Sequence, residues 1–343
     1  MNSDLKQTHC DIIIPVWNRI HDIRACLNSI LINTNCDFRL IIVDDNSSID
    51  TASYLSSFAD RHKKRTMLLK NKKNVGYVKS VNLGIEATSS SYVCFLNSDT
   101  VVGEKWLTNM ILAAEYSKRI GIVNPNSNNF GLKGKGLTVS EMSEICSKGP
   151  SIIAEQAAAS GFCMLVKREV INKIGLLDEC FGVGFFEDAD YSFRAKEAGY
   201  MCARALRAYV NHRQHASFNE YGDWENHFEQ SREIFEKKWW PIERTVIFVE
   251  KKYAEEDCNK IVIELSKILY RGEGVIVAGS KSALGILLDA WNKAGLPIHV
   301  NLKCSINNKI VGNIKYRLRN LIKKKKISRF VSANEFLKTN IGL

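Results

Sequence analysis

Proline is scarce in this chain, with 5 residues among 343, and no stretch reaches the roughly 18 consecutive apolar residues of a membrane span. Paired CxxC cysteines and short metal-type cysteine spacings are also missing, as are internal repeats. The only low-complexity tract is the lysine run at 323–326. These absences exclude a collagen-like chain, a transmembrane bundle, a zinc finger and a solenoid. The ten cysteines, several of them inside apolar runs such as residues 92–96, read as buried thiols. The polar residues 1–7 carry no apolar signal region, so the expected setting is a reducing cytoplasm. A 45% hydrophobic composition excludes disorder, and the length suits two domains or one large one.

Acidic residues are short in one region only. Residues 1–240 hold 29 basic and 28 acidic side chains, whereas residues 241–343 hold 19 and 9, so nearly all of the formal net charge of +11 is C-terminal. Such asymmetry means that one part of a chain meets a polyanion.

The first half alternates strand and helix. Apolar runs at 10–16, 40–43, 67–69 and 92–96 have strand character, and helical spacing fills 23–32, 51–59 and 78–87. This pattern predicts an α/β fold with a doubly wound, mostly parallel sheet, whose ligands bind beyond the carboxyl ends of the strands. The residues there are polar: Pro15-Val16-Trp17-Asn18-Arg19, then Asp44-Asp45-Asn46-Ser47-Ser48, then Asn97-Ser98-Asp99-Thr100. One such Asp is an ordinary helix cap. Three clusters converging on one sheet edge point instead to a hard divalent cation and nucleotide hydroxyls. No glycine loop follows the first strand, which argues against a dinucleotide fingerprint or a Walker loop, so phosphates would be held through a metal on Asp99.

These segments resemble those of the family 2 glycosyltransferases, inverting enzymes of the GT-A fold that use nucleotide-diphospho-sugars. The resemblance spans about 240 residues. It runs through residues 13–18, 43–47, 74–77 with 82–85, 96–99, Ser160-Gly161-Phe162-Cys163-Met164, 174–179, Phe186-Glu187-Asp188-Ala189-Asp190 and 212–217, in order. It implies that Pro15, Trp17 and Asn18 line a nucleoside pocket, that Asp44 and Asp45 bind base or ribose, and that a segment from Asn74 through Gly76 to Asn82 closes over the nucleotide. Asn97, Ser98 and Gly161 join the nucleotide-sugar contacts. Asp99 takes the last position of the family's Asp-x-Asp motif, Asn97 standing where the first carboxylate would be, and His212 would be a further contact to the metal (Mg²⁺ or Mn²⁺) or to the diphosphate. Glu187 and Asp188 match the catalytic pair, with Asp188 the general base. Asp190 reads as a solvated acid on a helix N-terminal turn. Arg194 either orients the acids or merely pairs with one at i+4.

Residues 74–82 and 175–200 most resemble rhamnosyltransferase-type enzymes of bacterial surface polysaccharide synthesis (O-antigen, capsule), which implies a dTDP- or UDP-sugar donor and a glycan or lipid-linked acceptor. The rival reading is a catalytically inactive scaffold or carbohydrate-binding protein of the same fold, favoured by Asn97. Residues 124–150 read equally as a mobile loop near the site or a surface insertion. A helix over 221–240, with Tyr221, Trp224, Phe228, Phe235 and Trp239 along one side, would close the first domain at 241.

Residues 242–343 restart the pattern, with strands at 245–249, 274–277 and 298–300 and helices at 258–269 and 282–294. A small basic Rossmann-like accessory domain is expected, without the glycine spacing for a dinucleotide. Its end, 314–329, spaces Ile314, Leu318, Leu321 and Ile322 on one helical face among basic residues. Either it binds an anionic membrane surface, making the protein peripheral at the inner face of the cell membrane, or it is a solvated helix face. Nucleic acid is disfavoured, since no interleaved aromatic residues accompany the charge.

Overall fold

The computed structural model describes residues 9–128, 136–213, 224–239, 244–249, 253–270, 274–294, 302–306 and 327–333. The chain forms two compact units, Met1–Phe235 and Glu236–Leu343. In the first, the order is β1 (Cys10–Val16), α1 (Ile20–Asn33), β2 (Phe38–Asp44), α2 (Ile49–Arg61), β3 (Thr66–Lys70), α3 (Tyr77–Glu86) and β4 (Tyr92–Leu96). It continues with β5 (Thr100–Val102), α4 (Trp106–Glu115), β6 (Ile120–Asn126), α5 (Val139–Ser147), β7 (Ile153–Gln156), β8 (Cys163–Lys167), α6 (Arg168–Ile174), α7 (Glu187–Glu197), β9 (Met201–His212) and α8 (Trp224–Lys238).

The sheet order is β3-β2-β1-β4-β8-β6-β9-β5, with β7 also on β9. Strands β3, β2, β1 and β4 are parallel, whereas β8 runs antiparallel to both β4 and β6. The parallel half is covered on both faces, so β1, β2 and β4 are almost wholly buried runs of Ile, Val, Leu and Phe. Close helix packing requires Gly84: a Cβ there would collide with Ile13 Cγ2, so α3 can approach β1 only without a side chain. Because β2 and β4 flank β1 on opposite sides, the strand order reverses at β1, and in sheets of this kind the ligand crevice lies at that point, beyond the carboxyl ends of β1 and β4.

Several expectations need correction. Residues 124–150 are not one loop, because β6 extends to Asn126 and α5 is closed by a reciprocal capping box between Thr138 and Glu141; residues 129–135 lie outside the described residues. The cysteines are not uniformly buried, since Cys180 is exposed and Cys36 partly so. In α8, Trp224 is exposed rather than core, while Phe235 is buried; Tyr221 lies outside the described residues.

In the second unit, β10 (Arg244–Val249), α9 (Glu255–Tyr270), β11 (Gly274–Gly279), α10 (Lys281–Lys293), β12 (Leu302–Ile306) and β13 (Ile327–Ser332) build a parallel sheet in the order β12-β11-β10-β13. Its core joins Ile247, Val277, Ile261, Leu265, Leu284 and Trp291. The strand expected at 298–300 falls outside the described residues, and a strand follows at Leu302–Ile306. Of the expected basic helix, 314–326 also lies outside them, and 327–329 belong to β13, so Arg329 is on a strand. Among the described residues, no helix is long and apolar enough to cross a membrane.

Candidate active site

The loops after β1 and β2 are stitched together at the crevice. Asn18 and Arg19 take left-handed backbone, with φ of 57° and 58°. The Asn18 N–H donates to Ser47 Oγ at 2.9 Å, and Asn18 Oδ1 accepts from the Ser48 N–H at 2.8 Å. Asp44, buried, accepts the Ser47 N–H at 2.9 Å, closing a turn in which Asn46 is also left-handed. Pro15 and Trp17 are both partly exposed at the end of β1.

Asp45 organises the next loop. Its Oδ1 accepts from Asn71 Nδ2 at 2.8 Å and the Val75 N–H at 2.9 Å, and its Oδ2 accepts from the Gly76 N–H at 2.9 Å. Asn74 Oδ1 shares the Gly76 N–H at 3.1 Å. Gly76 has φ +86°, and a Cβ there would lie 2.8 Å from Val183 Cα, so both conformation and space demand glycine. Asn82 is a correction: it does not face the crevice. Buried on α3, its side chain donates to the Leu177 carbonyl at 2.9 Å and accepts the Leu177 N–H at 3.0 Å, pinning α3 to the chain before α7.

Strand pairing makes the second cluster. Register between β5 and β9 sets Thr100 opposite His212, and His212 Nε2 lies 3.2 Å from Asp99 Oδ1 and 3.5 Å from Asn97 Nδ2. Asn128 clamps the His212 backbone at both N–H and carbonyl (2.9 and 2.8 Å), and the Phe162 ring stacks on the imidazole at 4.9 Å. Ser98 and Asp99 are buried, and Asn97 Oδ1 is buried with no hydrogen-bond partner. A carboxylate, an imidazole and an unpartnered amide oxygen suit a divalent cation that keeps water and phosphate oxygens as its other ligands. Among the described residues, no three His, Cys, Asp or Glu side chains converge as a metal-holding group.

The acidic pair starts α7. Asp188 Oδ2 accepts the Gly161 N–H at 2.8 Å and its Oδ1 the Ala189 N–H at 2.7 Å. Burial raises its pKa against the lowering effect of those N–H groups. Glu187 is more extreme: its Oε2 is buried without a partner, and burial, reinforced by the charge of Asp188, holds its carboxyl well above the usual carboxylate range. Asp190 is corrected from a solvated acid to a fully buried one, paired at 2.9 Å with Arg194 Nε. Arg194 also donates to the carbonyls of Ile174 and Leu176, so it ties Asp190 and α7 to the end of α6. Ahead of α7, Gly184, Phe185 and Phe186 have φ of 138°, 69° and 65°. Left-handed backbone in the two phenylalanines costs about 1–3 kcal/mol each and survives only where packing enforces it.

Gly161 and Phe162 join the clusters. Gly161 donates to Asp188 and accepts from the Tyr77 hydroxyl at 2.9 Å, while Phe162 stacks on His212 and accepts the Asn97 N–H at 2.8 Å. Sequence reasoning missed Tyr77, Asn128 and Phe162 as supports; only the hydroxyl two residues beyond Val75 offered a signal.

Comparison with known proteins gives a consistent result. Residues 11–175 match the family described as Glycosyl transferase family 2. An uncharacterized glycosyltransferase of Rickettsia felis is 38% identical over 95 residues, which is 28% of this chain and 15% of that protein. The Escherichia coli UDP-Glc:alpha-D-GlcNAc-diphosphoundecaprenol beta-1,3-glucosyltransferase WfgD is 31% identical over 100 residues, 29% of this chain and 37% of that one. The chain thus spans well under two thirds of these relatives. Among solved structures, the mannosyltransferase PcManGT of Pyrobaculum calidifontis, in complex with GDP-Man and Mn²⁺, superposes with a TM-score of 0.53 at 13% identity, over 92% of this chain and 80% of that one. The shared fold is GT-A.

Proposed function

With residues 11–175 a glycosyl transferase family 2 domain, we propose that the chain moves a sugar from a nucleotide-diphospho-sugar to an acceptor hydroxyl, inverting the anomeric centre. The observation that carries this reading is the Gly161–Phe162 turn, which holds the Asp188 carboxylate on one side and the Asp99–His212 pair on the other. A displacement needs a base on one face of the anomeric carbon and charge stabilisation at the leaving group on the other.

Pro15, Trp17, Asn18, Asp44 and Asp45 form the nucleoside end, with residues 74–76 as its cover and Asn82 as the pin that fixes that cover. Asp99 and His212, with the Asn97 amide oxygen, hold Mg²⁺ or Mn²⁺, which when bound stabilises the negative charge of the diphosphate leaving group. Asp188 takes the acceptor proton, and the raised pKa of the pair supplies a base stronger than a solvated carboxylate. The two N–H donors on Asp188 fix the direction of its oxygens, so proton removal needs no reorganisation.

The donor is a UDP- or dTDP-sugar and the acceptor a glycan or lipid-linked glycan of a rhamnosyltransferase-type surface-polysaccharide step. Support comes from the sequence pattern at 74–82 and 175–200 and from the lipid-diphosphate substrate named for the E. coli relative. The protein works in the cytoplasm at the inner membrane face, with the basic residues of 314–329 meeting anionic lipid. Incubation with UDP-glucose, UDP-N-acetylglucosamine, dTDP-rhamnose and GDP-mannose plus Mn²⁺ tests the reading through release of nucleoside diphosphate. Binding without turnover, equal in wild type and Asp188→Asn, would favour a scaffold.

A further inference from the structure

The backbone that delivers the acidic pair is strained. Phe185 and Phe186 are consecutive left-handed residues, and Glu187 and Asp188 follow directly as the first residues of α7. Neither phenylalanine has the freedom of glycine, so something outside the turn must hold it.

Helix α8 does so with one face. Phe228, Ser231 and Phe235 stand at i, i+3 and i+7, a single helical stripe. Phe228 meets the ring of Phe185 edge-on at 5.4 Å and that of Phe186 at 5.3 Å. Phe235 packs on Phe186 at 5.4 Å and on Phe193 of α7 at 5.5 Å. Between the rings, the Ser231 hydroxyl lies 3.0 Å from the Gly184 carbonyl and 3.4 Å from that of Phe181. The two buried side chains of α8 are Ser231 and Phe235, so the buried part of this otherwise charged helix is committed to the turn.

We propose that Phe228, Ser231 and Phe235 of α8 are positioning residues that hold the Gly184–Phe186 turn in its left-handed form and thereby keep Asp188 on the Gly161 N–H, in line with the reacting carbon. This rests on the transferase reading above. If either phenylalanine relaxes to ordinary backbone, α7 starts in a different direction and Asp188 leaves Gly161. Donor binding rests on Asp45 and on the Asp99–His212 pair beside the β5–β9 pairing, which are set on other segments than that turn. A relaxed pair is also more solvated, so the burial that raises its pKa weakens.

The test uses the full chain and whichever of UDP-glucose, UDP-N-acetylglucosamine, dTDP-rhamnose and GDP-mannose the wild type turns over with Mn²⁺. Ser231→Ala should lower kcat about tenfold or more, leave the nucleoside diphosphate Kd within about twofold, and move the acid limb of the rate profile to lower pH. Ser231→Thr, which keeps the hydroxyl, should restore most of kcat. Phe228→Leu, which keeps apolar bulk but removes both ring contacts, should reproduce the Ser231→Ala pattern and serves if that variant folds poorly. Unchanged kcat in both variants overturns the proposal. So does a loss of kcat shared equally by nucleotide affinity and melting temperature with a fixed pH limb, which is a general stability effect. Absence of turnover in the wild type refutes the transferase reading instead.

Discussion

Replacing Glu187 with Gln separates the two members of the acidic pair. Glu187 is 6% exposed, its Oε2 has no partner, and burial with the neighbouring Asp188 charge raises its pKa well above the carboxylate range. A carboxyl raised in the folded state binds a proton that the unfolded chain has already released, so stability falls as pH climbs from about 4.3 toward the folded pKa. Glutamine escapes that loss. The advantage of Glu187→Gln over wild type should therefore be absent below pH ~4 and grow by up to about 1.4 kcal/mol per pH unit above it. In a unit of this size each kcal/mol appears as about 2–4 °C in Tm. Because Gln resembles the protonated form that the raised pKa favours, turnover should stay within about tenfold of wild type, whereas Asp188→Asn should lose about 10² to 10⁴. Thermal melts from pH 4 to 8 and nucleoside diphosphate release decide it. Equal inactivation by the two substitutions with nucleotide binding intact, or a Tm difference independent of pH, would refute the assignment.

Other outcomes follow from the same geometry. Asp11 is fully buried; burial alone would raise its pKa, but Arg39 at 2.8 Å and the Ser89 and Ser90 N–H groups outweigh it and hold it below the usual range. Asp11→Asn should cost about 2–4 kcal/mol at neutral pH, and the difference should vanish as pH falls through the lowered folded pKa, as acid titration of unfolding would record. Gly76→Ala should destabilise by about 1–3 kcal/mol and weaken nucleotide binding, measured by calorimetry, since its Cβ meets the Val183 backbone. His212→Ala should abolish the Mn²⁺ dependence of nucleoside diphosphate affinity while leaving affinity for the bare nucleoside unchanged.

The parallel half of the first sheet was legible because its signals are local: β-branched runs, helical spacing and polar residues at the strand ends. The second half was not. Strand β6 contains Gly121 and Pro125, and the twelve-residue β9 carries Arg204, Arg207 and Asn211 among its apolar residues, so neither reads as a run. The structure brings expected site residues together where a motif sits in one segment, and departs from the expected placement where the partner is distant. Asn82 bonds to Leu177, 95 positions away, and Asp190 is buried because Arg194 spends its other donors on Ile174 and Leu176. Two left-handed phenylalanines had no signal, since α8 supplies their restraint from far along the chain.

The proposed transfer turns on Asp188 acting as base on a sugar held through the Asp99–His212 pair. Single-turnover release of nucleoside diphosphate from the four nucleotide sugars, with Mn²⁺ and then with chelator, tests it most directly in wild type and Asp188→Asn. Metal-dependent release from at least one donor is expected, with a loss of about 10² or more in Asp188→Asn at unchanged donor affinity. Release that is indifferent to Asp188→Asn, or no release from any donor that binds, would contradict it.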